Sequence, residues 1–121
     1  MSPDLHSVLY KVLKYADECL KADVEPSIDE ARKLAGVGNI FFTQAMAEAD
    51  RKQLLTGLYF PDNIDSREPR VFANHMAITL DGEEYLKDNS SMKKVASMMG
   101  SAVAAAIDSA VNATIKASLG F

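Results

Sequence analysis

The stretch Val71-Phe-Ala-Asn-His-Met-Ala-Ile-Thr-Leu-Asp-Gly-Glu-Glu-Tyr-Leu86 constrains the fold most. Its first half reads as a short apolar strand, and its second half opens like a helix, with no loop between them. Thr79 is placed to cap that helix, and Asp81, Glu83 and Glu84 lie in its first turn, where the helix dipole favours carboxylates. Gly82 carries no side chain, so the turn can press closely on a neighbouring element. A strand that runs straight into a helix needs a partner strand and a core for the helix to close over.

The preceding residues supply both. Leu5, Val8, Leu9, Val12, Leu13, Ala16 and Leu20 recur at three and four, which predicts an amphipathic first helix of about five turns. Ser2 and Pro3 suit its cap and first position. Lys11, Lys14, Asp17, Glu18 and Lys21 fall off the apolar face and read as solvated surface. Ser27 and Glu30 form a Ser-x-x-Glu capping box for a short second helix that Gly36 and Gly38 break. A third helix is predicted over about residues 39–53, with Phe41, Phe42, Ala45, Met46 and Ala49 inward. Leu54–Phe60 has strand character with a glycine bend, and a polar loop carrying Pro61 and Pro69 joins it to Val71–Leu80. The predicted class is α+β and mostly helical: three helices, two strands, a helix, then a long extra C-terminal helix.

A short helix, a tight turn and a longer helix make a helix-turn-helix. With the hairpin and closing helix, the order is that of a winged helix-turn-helix domain over residues 1–90. Ile78-Thr-Leu-Asp-Gly-Glu-Glu-Tyr-Leu86 resembles the ending of many bacterial winged-helix domains. Together with Leu9-Tyr-Lys-Val-Leu-Lys-Tyr-Ala-Asp-Glu-Cys-Leu20 and Gly57-Leu-Tyr-Phe-Pro-Asp-Asn63, it resembles the YjcQ-like family of small winged-helix proteins from Firmicutes and their phages. The likeness covers roughly residues 5–90. It implies a phage or prophage setting, and the wider superfamily implies duplex DNA binding through the third helix and wing. Some family members are phage head proteins, so the fold leaves a structural or accessory role open.

In a helix-turn-helix, the start of the second motif helix faces the major groove. Asn39, Thr43, Gln44 and Ala47 occupy that position, and Asn and Gln can pair with adenine edges. Arg51, with Arg67 and Arg70 from the wing, could grip phosphates. Glu48 and Asp50 oppose this, and the net charge of -4 confines any basic surface to a patch. The rival expectation is a protein-interaction module on the same scaffold. Charge around the third helix discriminates the two.

The tail, residues 91–121, is rich in alanine and methionine. Val95, Met99, Val103, Ile107, Val111, Ile115 and Leu119 recur at every fourth residue, beside small residues Ala102, Ala106 and Ala110. A helix of about 28 residues would reach roughly 42 Å, against about 30 Å for the domain. Homodimerisation through Met99, Val103, Ala106, Ile107, Ala110, Val111 and Ile115 is the leading expectation. Folding back onto the domain with a kink at Gly100, or membrane contact, are the alternatives. Asp108, Asn112 and Lys116 weigh against a membrane span.

Nothing predicts an enzyme, a cofactor or a metal site. Gly36-Val-Gly38 lies between helices and not after a strand, so it is no phosphate loop. His6, His75 and the single cysteine, Cys19, lack ligand spacing. One cysteine and a charged, amphipathic start predict a reducing, cytoplasmic location.

Overall fold

A computed structural model describes residues 4–61, 70–92 and 100–118, with side chains as far as Val111. It is a mostly helical α+β fold. Helices α1 (Leu5–Lys21), α2 (Ile28–Ala35) and α3 (Asn39–Arg51) are followed by strands β1 (Leu55–Tyr59) and β2 (Phe72–Ile78). Helix α4 (Leu80–Asp88), a short 3₁₀ turn at Ser90–Met92 and α5 (Gly100–Ser118) complete it. The strands form a two-stranded antiparallel sheet, pairing Leu55 with Ile78 and Tyr59 with Phe72.

Helix α1 is the central element. Its N-cap is Asp4, two residues beyond the expected Ser2, and the Asp4 carboxylate accepts the Ser7 amide at 2.7 Å. Asp caps as well as Ser does, and here it directly precedes the first apolar residue. Val8, Leu9, Val12, Leu13 and Ala16 are buried as expected, but so are Tyr10, Tyr15, Asp17 and Cys19. Helix α1 therefore has more than one covered face. Leu20, expected inward, is 61% exposed.

The capping box is half made. Ser27 Oγ accepts the Glu30 amide at 3.3 Å, but the Ser27 amide donates to the Tyr15 hydroxyl at 2.9 Å, and Glu30 pairs with Lys33 at 3.6 Å. Burial pushes the Tyr15 hydroxyl up to about 12, so it stays a neutral partner anchoring α2 to α1. Gly36 ends α2 at φ +66°, a left-handed cap that glycine adopts freely.

Gly57 is the predicted bend. Its φ is +81°, the strand register shifts there, and an added Cβ would lie 2.6 Å from the Asn74 carbonyl oxygen. Thr79 joins sheet to helix: its hydroxyl donates to the Gln53 carbonyl at 2.6 Å and accepts the Gly82 amide at 3.0 Å. Gly82 is buried beneath this cap, its Cα facing the Leu54 carbonyl and the Ile78 side chain. The direct strand-to-helix join thus closes the end of the β1–β2 pair.

Asp17, expected to be solvated, is 5% exposed. Burial raises its carboxyl, but hydrogen bonding with Glu83 and Lys21, and the Lys21 and Lys14 charges, outweigh that and hold it below the usual range. Lys21 Nζ lies 3.0 Å from it. Glu83 is pushed up, first by burial and then by Asp17. The two carboxyls, one on α1 and one on α4, are thus pushed in opposite directions by their contact. Glu83 binds protons more readily folded than unfolded, so its contribution is full below about its ordinary 4.5 and is lost as pH rises through its folded value. Asp17 has the opposite sign: its contribution is lost only as pH falls below the ordinary 3.8. Denaturant unfolding of Glu83→Gln across pH should therefore lack the decline that the native chain shows from about pH 4.5 towards neutrality. Parallel pH curves would show that the two carboxyls do not interact.

Candidate nucleic-acid interface

Helix α3 packs one face inward through Phe42, Ala45, Met46 and Ala49, all fully buried. Ile40 and the residues four, seven and eleven positions after it, Gln44, Ala47 and Arg51, then share the outer face by the 3.6-residue period. Gln44 is exposed and Ala47 half-buried, consistent with a surface role for both. Asn39 is half-buried at the helix start. Thr43, expected to face bases, is only 8% exposed, because it stands beside buried Met46 on the inner edge of the helix. Ile40 takes its place: it is 69% exposed at the start of the outer face. Sequence reasoning passed over it as apolar, although the 40-44-47-51 spacing was there to read.

The charge distribution divides along the helix. No carboxylate occurs in α3 before Glu48. Glu48 hydrogen-bonds and ion-pairs with Arg51, one turn on. The pair neutralises the far end of the helix and ties up the arginine expected to hold phosphate. Asp50 is exposed at the same far end.

The near end carries positive charge. Arg70 is exposed immediately before Val71, which is completely buried and fixes the start of the β2 segment. Arg32 of α2 reaches the same place. Its Nη1 donates to Asp29 at 2.9 Å, its Nη2 to the Val71 carbonyl at 3.5 Å, and its guanidinium lies 5.3 Å over the Phe42 ring. Arg32 and Arg70 line one groove of about 430 Å³ with Asn39. Arg32 had been one of several unplaced basic residues in the sequence. Its position depends on a contact between α2 and β2 that no local pattern encodes. A second, mostly apolar groove of about 670 Å³ runs beside Leu5, Ile40, Phe41 and Gln44. Arg67 lies outside the described residues.

The residues expected to pair two chains are placed differently. Val103 and Ala106 of α5 are 7% and 8% exposed and belong to the core cluster, and Ile107 packs partly against it. They cover α1 and α2 of their own chain. This part of the tail folds back, with α5 starting at Gly100. Ala110 and Val111 are half-buried. Met99 and the Ile115 side chain lie outside the described residues. Between α1 and α5 an open groove of about 740 Å³ has an apolar floor of Tyr10, Ala22, Val103 and Ile107 and a rim that includes Lys14 and Asp108. Among the described residues, no helix is long and apolar enough to cross a membrane. Cys19 is fully buried and burial pushes its thiol up, which suits packing and not nucleophilic chemistry.

A family described as YjcQ protein matches residues 10–102. The chain belongs to the YjcQ protein family. No curated protein and no solved structure matches it. The YjcQ match runs from α1 through α4 and ends in the first turn of α5. It therefore takes in Arg32, all of α3, Arg70 and the Gly82 join, and it stops short of Val103.

Proposed function

We propose that this YjcQ-family chain is a winged-helix protein of phage regulatory type that binds duplex DNA without catalysis. The outer face of α3 enters the major groove, and the paired strands β1 and β2 serve as the wing. The carrying observation is the charge division of α3: its first two turns present Ile40, Gln44 and Ala47 without a carboxylate, beside two arginines. Gln44 can read an adenine edge and Ile40 a thymine methyl. The acidic residues that weighed against DNA fall at the far end, where Arg51 offsets Glu48. A two-fold site needs two copies with their reading helices about 34 Å apart. Pairing would use the exposed side of α5, which carries Ala102, Ala105 and Ser109.

Fluorescence anisotropy with mixed-sequence duplexes tests this reading. Gln44→Glu places a negative charge at the centre of the exposed face and should weaken binding by about tenfold or more, the equivalent of roughly 1.4 kcal/mol. Binding that is indifferent to Gln44→Glu would remove α3 from the interface.

A second reading has its own observation. Ile40 is a large apolar side chain in the open, next to the apolar groove by Leu5 and Phe41, and this suits a protein partner. Under that reading the native chain fails to bind DNA at low salt.

A further inference from the structure

We propose that the groove between α2, the start of α3 and the start of β2 binds a single phosphoryl oxyanion, held between Arg32 and Arg70. For a DNA backbone phosphate this rests on the reading above; for free phosphate it does not.

The groove brings two guanidinium groups from distant parts of the chain to one wall-lined space of about 430 Å³. Among the described residues one carboxylate, Asp29, opposes them, which leaves a net single positive charge. Arg32 is pre-positioned from three sides, by Asp29, by the Val71 carbonyl and by the Phe42 ring. Little conformational freedom remains to be lost when it binds. It is nevertheless short of acceptors. Its bond to Val71 is long at 3.5 Å, and its Nε is buried with no hydrogen-bond partner among the described residues. A guanidinium has five N–H donors, so Arg32 has capacity to spare and its side chain is still 35% exposed. A tetrahedral oxyanion supplies several strong acceptors at once and matches the fork geometry of arginine. Arg70 is exposed and lines the same groove, so its guanidinium can add to the hold on the anion. Helix α3 begins in the same wall. Its cap, Gly38, offers no side-chain acceptor to the first-turn amides, which adds favourable potential for an anion. The two arginines against the one carboxylate, Asp29, favour an anion over a cation among the described lining residues.

The test uses the full chain. Inorganic phosphate is titrated into isotope-labelled protein at constant ionic strength, with chloride as control, while the Asn39 amide and Arg32 Nε–H resonances are followed. In parallel, duplex DNA binding is measured over a salt series for the native chain and Arg70→Gln. Arg70 is exposed, so this variant should fold normally. Saturable phosphate shifts at Asn39 and Arg32, weakened about tenfold by Arg70→Gln, establish the site. A DNA salt slope that falls by about 0.9 in Arg70→Gln, the value of one lost phosphate contact, assigns the oxyanion to DNA. Phosphate shifts without any DNA binding assign the site to free phosphate and sink only the DNA reading. DNA binding with an unchanged slope, together with no phosphate shift, overturns the site and leaves the DNA reading standing. Neither phosphate shifts nor DNA binding overturns both.

Discussion

Phe42→Ala should lower the stability of the chain by about 3–5 kcal/mol, the usual cost of removing a buried phenyl group. Phe42 is completely buried on the inner face of α3. It contacts the α1 core on one side and carries the Arg32 guanidinium at 5.3 Å on the other. Truncation removes apolar contact and leaves a cavity between α1 and α3. It also frees Arg32 from one of its three restraints. Domains of this size have only about 5–15 kcal/mol in hand, so the loss is a large share. Urea unfolding should show a much lower midpoint with little change in slope, and melting should fall by roughly 10–20 °C. A loss below about 1 kcal/mol would mean that Phe42 is not the core residue that fixes α3.

The second large effect is at the strand-to-helix join. Gly82→Ala should cost about 2 kcal/mol. A Cβ there would overlap the Leu54 carbonyl oxygen and stand 2.6 Å from Ile78 Cγ1. The Leu54 oxygen already accepts the Thr79 amide at 3.1 Å, so it cannot retreat without loosening the α4 cap. Overpacking of this kind costs about 3 kcal/mol at its upper range, and the better helix propensity of alanine returns about 1 kcal/mol. Gly100→Ala is the internal control. Nothing lies within 4 Å of its would-be Cβ, so that variant should match or exceed the native chain. Comparable losses at both glycines would show that Gly82 acts through backbone freedom and not through close contact.

The sequence made the element order legible because each element carries its own local signal. A short, mainly apolar run marks Phe72–Ile78, the three-and-four spacing marks α1, Ser27 and Thr79 mark helix starts, and Gly36 marks a stop. What local pattern could not show was which surfaces meet. Asp17 looked solvated because its neighbours on α1 are charged, and it is buried because α4 brings Glu83 onto it. Val103 and Ala106 looked like a pairing stripe. A regular apolar stripe says that a helix must be covered, not what covers it, and here α1 and α2 do so. Thr43 and Ile40 exchanged places because polarity was weighed above the helical period. Of the candidate site, Gln44 and Ala47 were readable from α3 alone. The arginine pair was not, because Arg32 and Arg70 are 38 positions apart and meet only through the fold.

The most direct test of the central claim is an amide-resonance titration of the full chain with a mixed-sequence DNA duplex at low salt. The account predicts shifts concentrated at Asn39, Ile40, Gln44, Ala47 and Arg70, with α5 from Val103 to Ile107 unmoved. No shift anywhere, or shifts confined to surfaces away from α3, would contradict it.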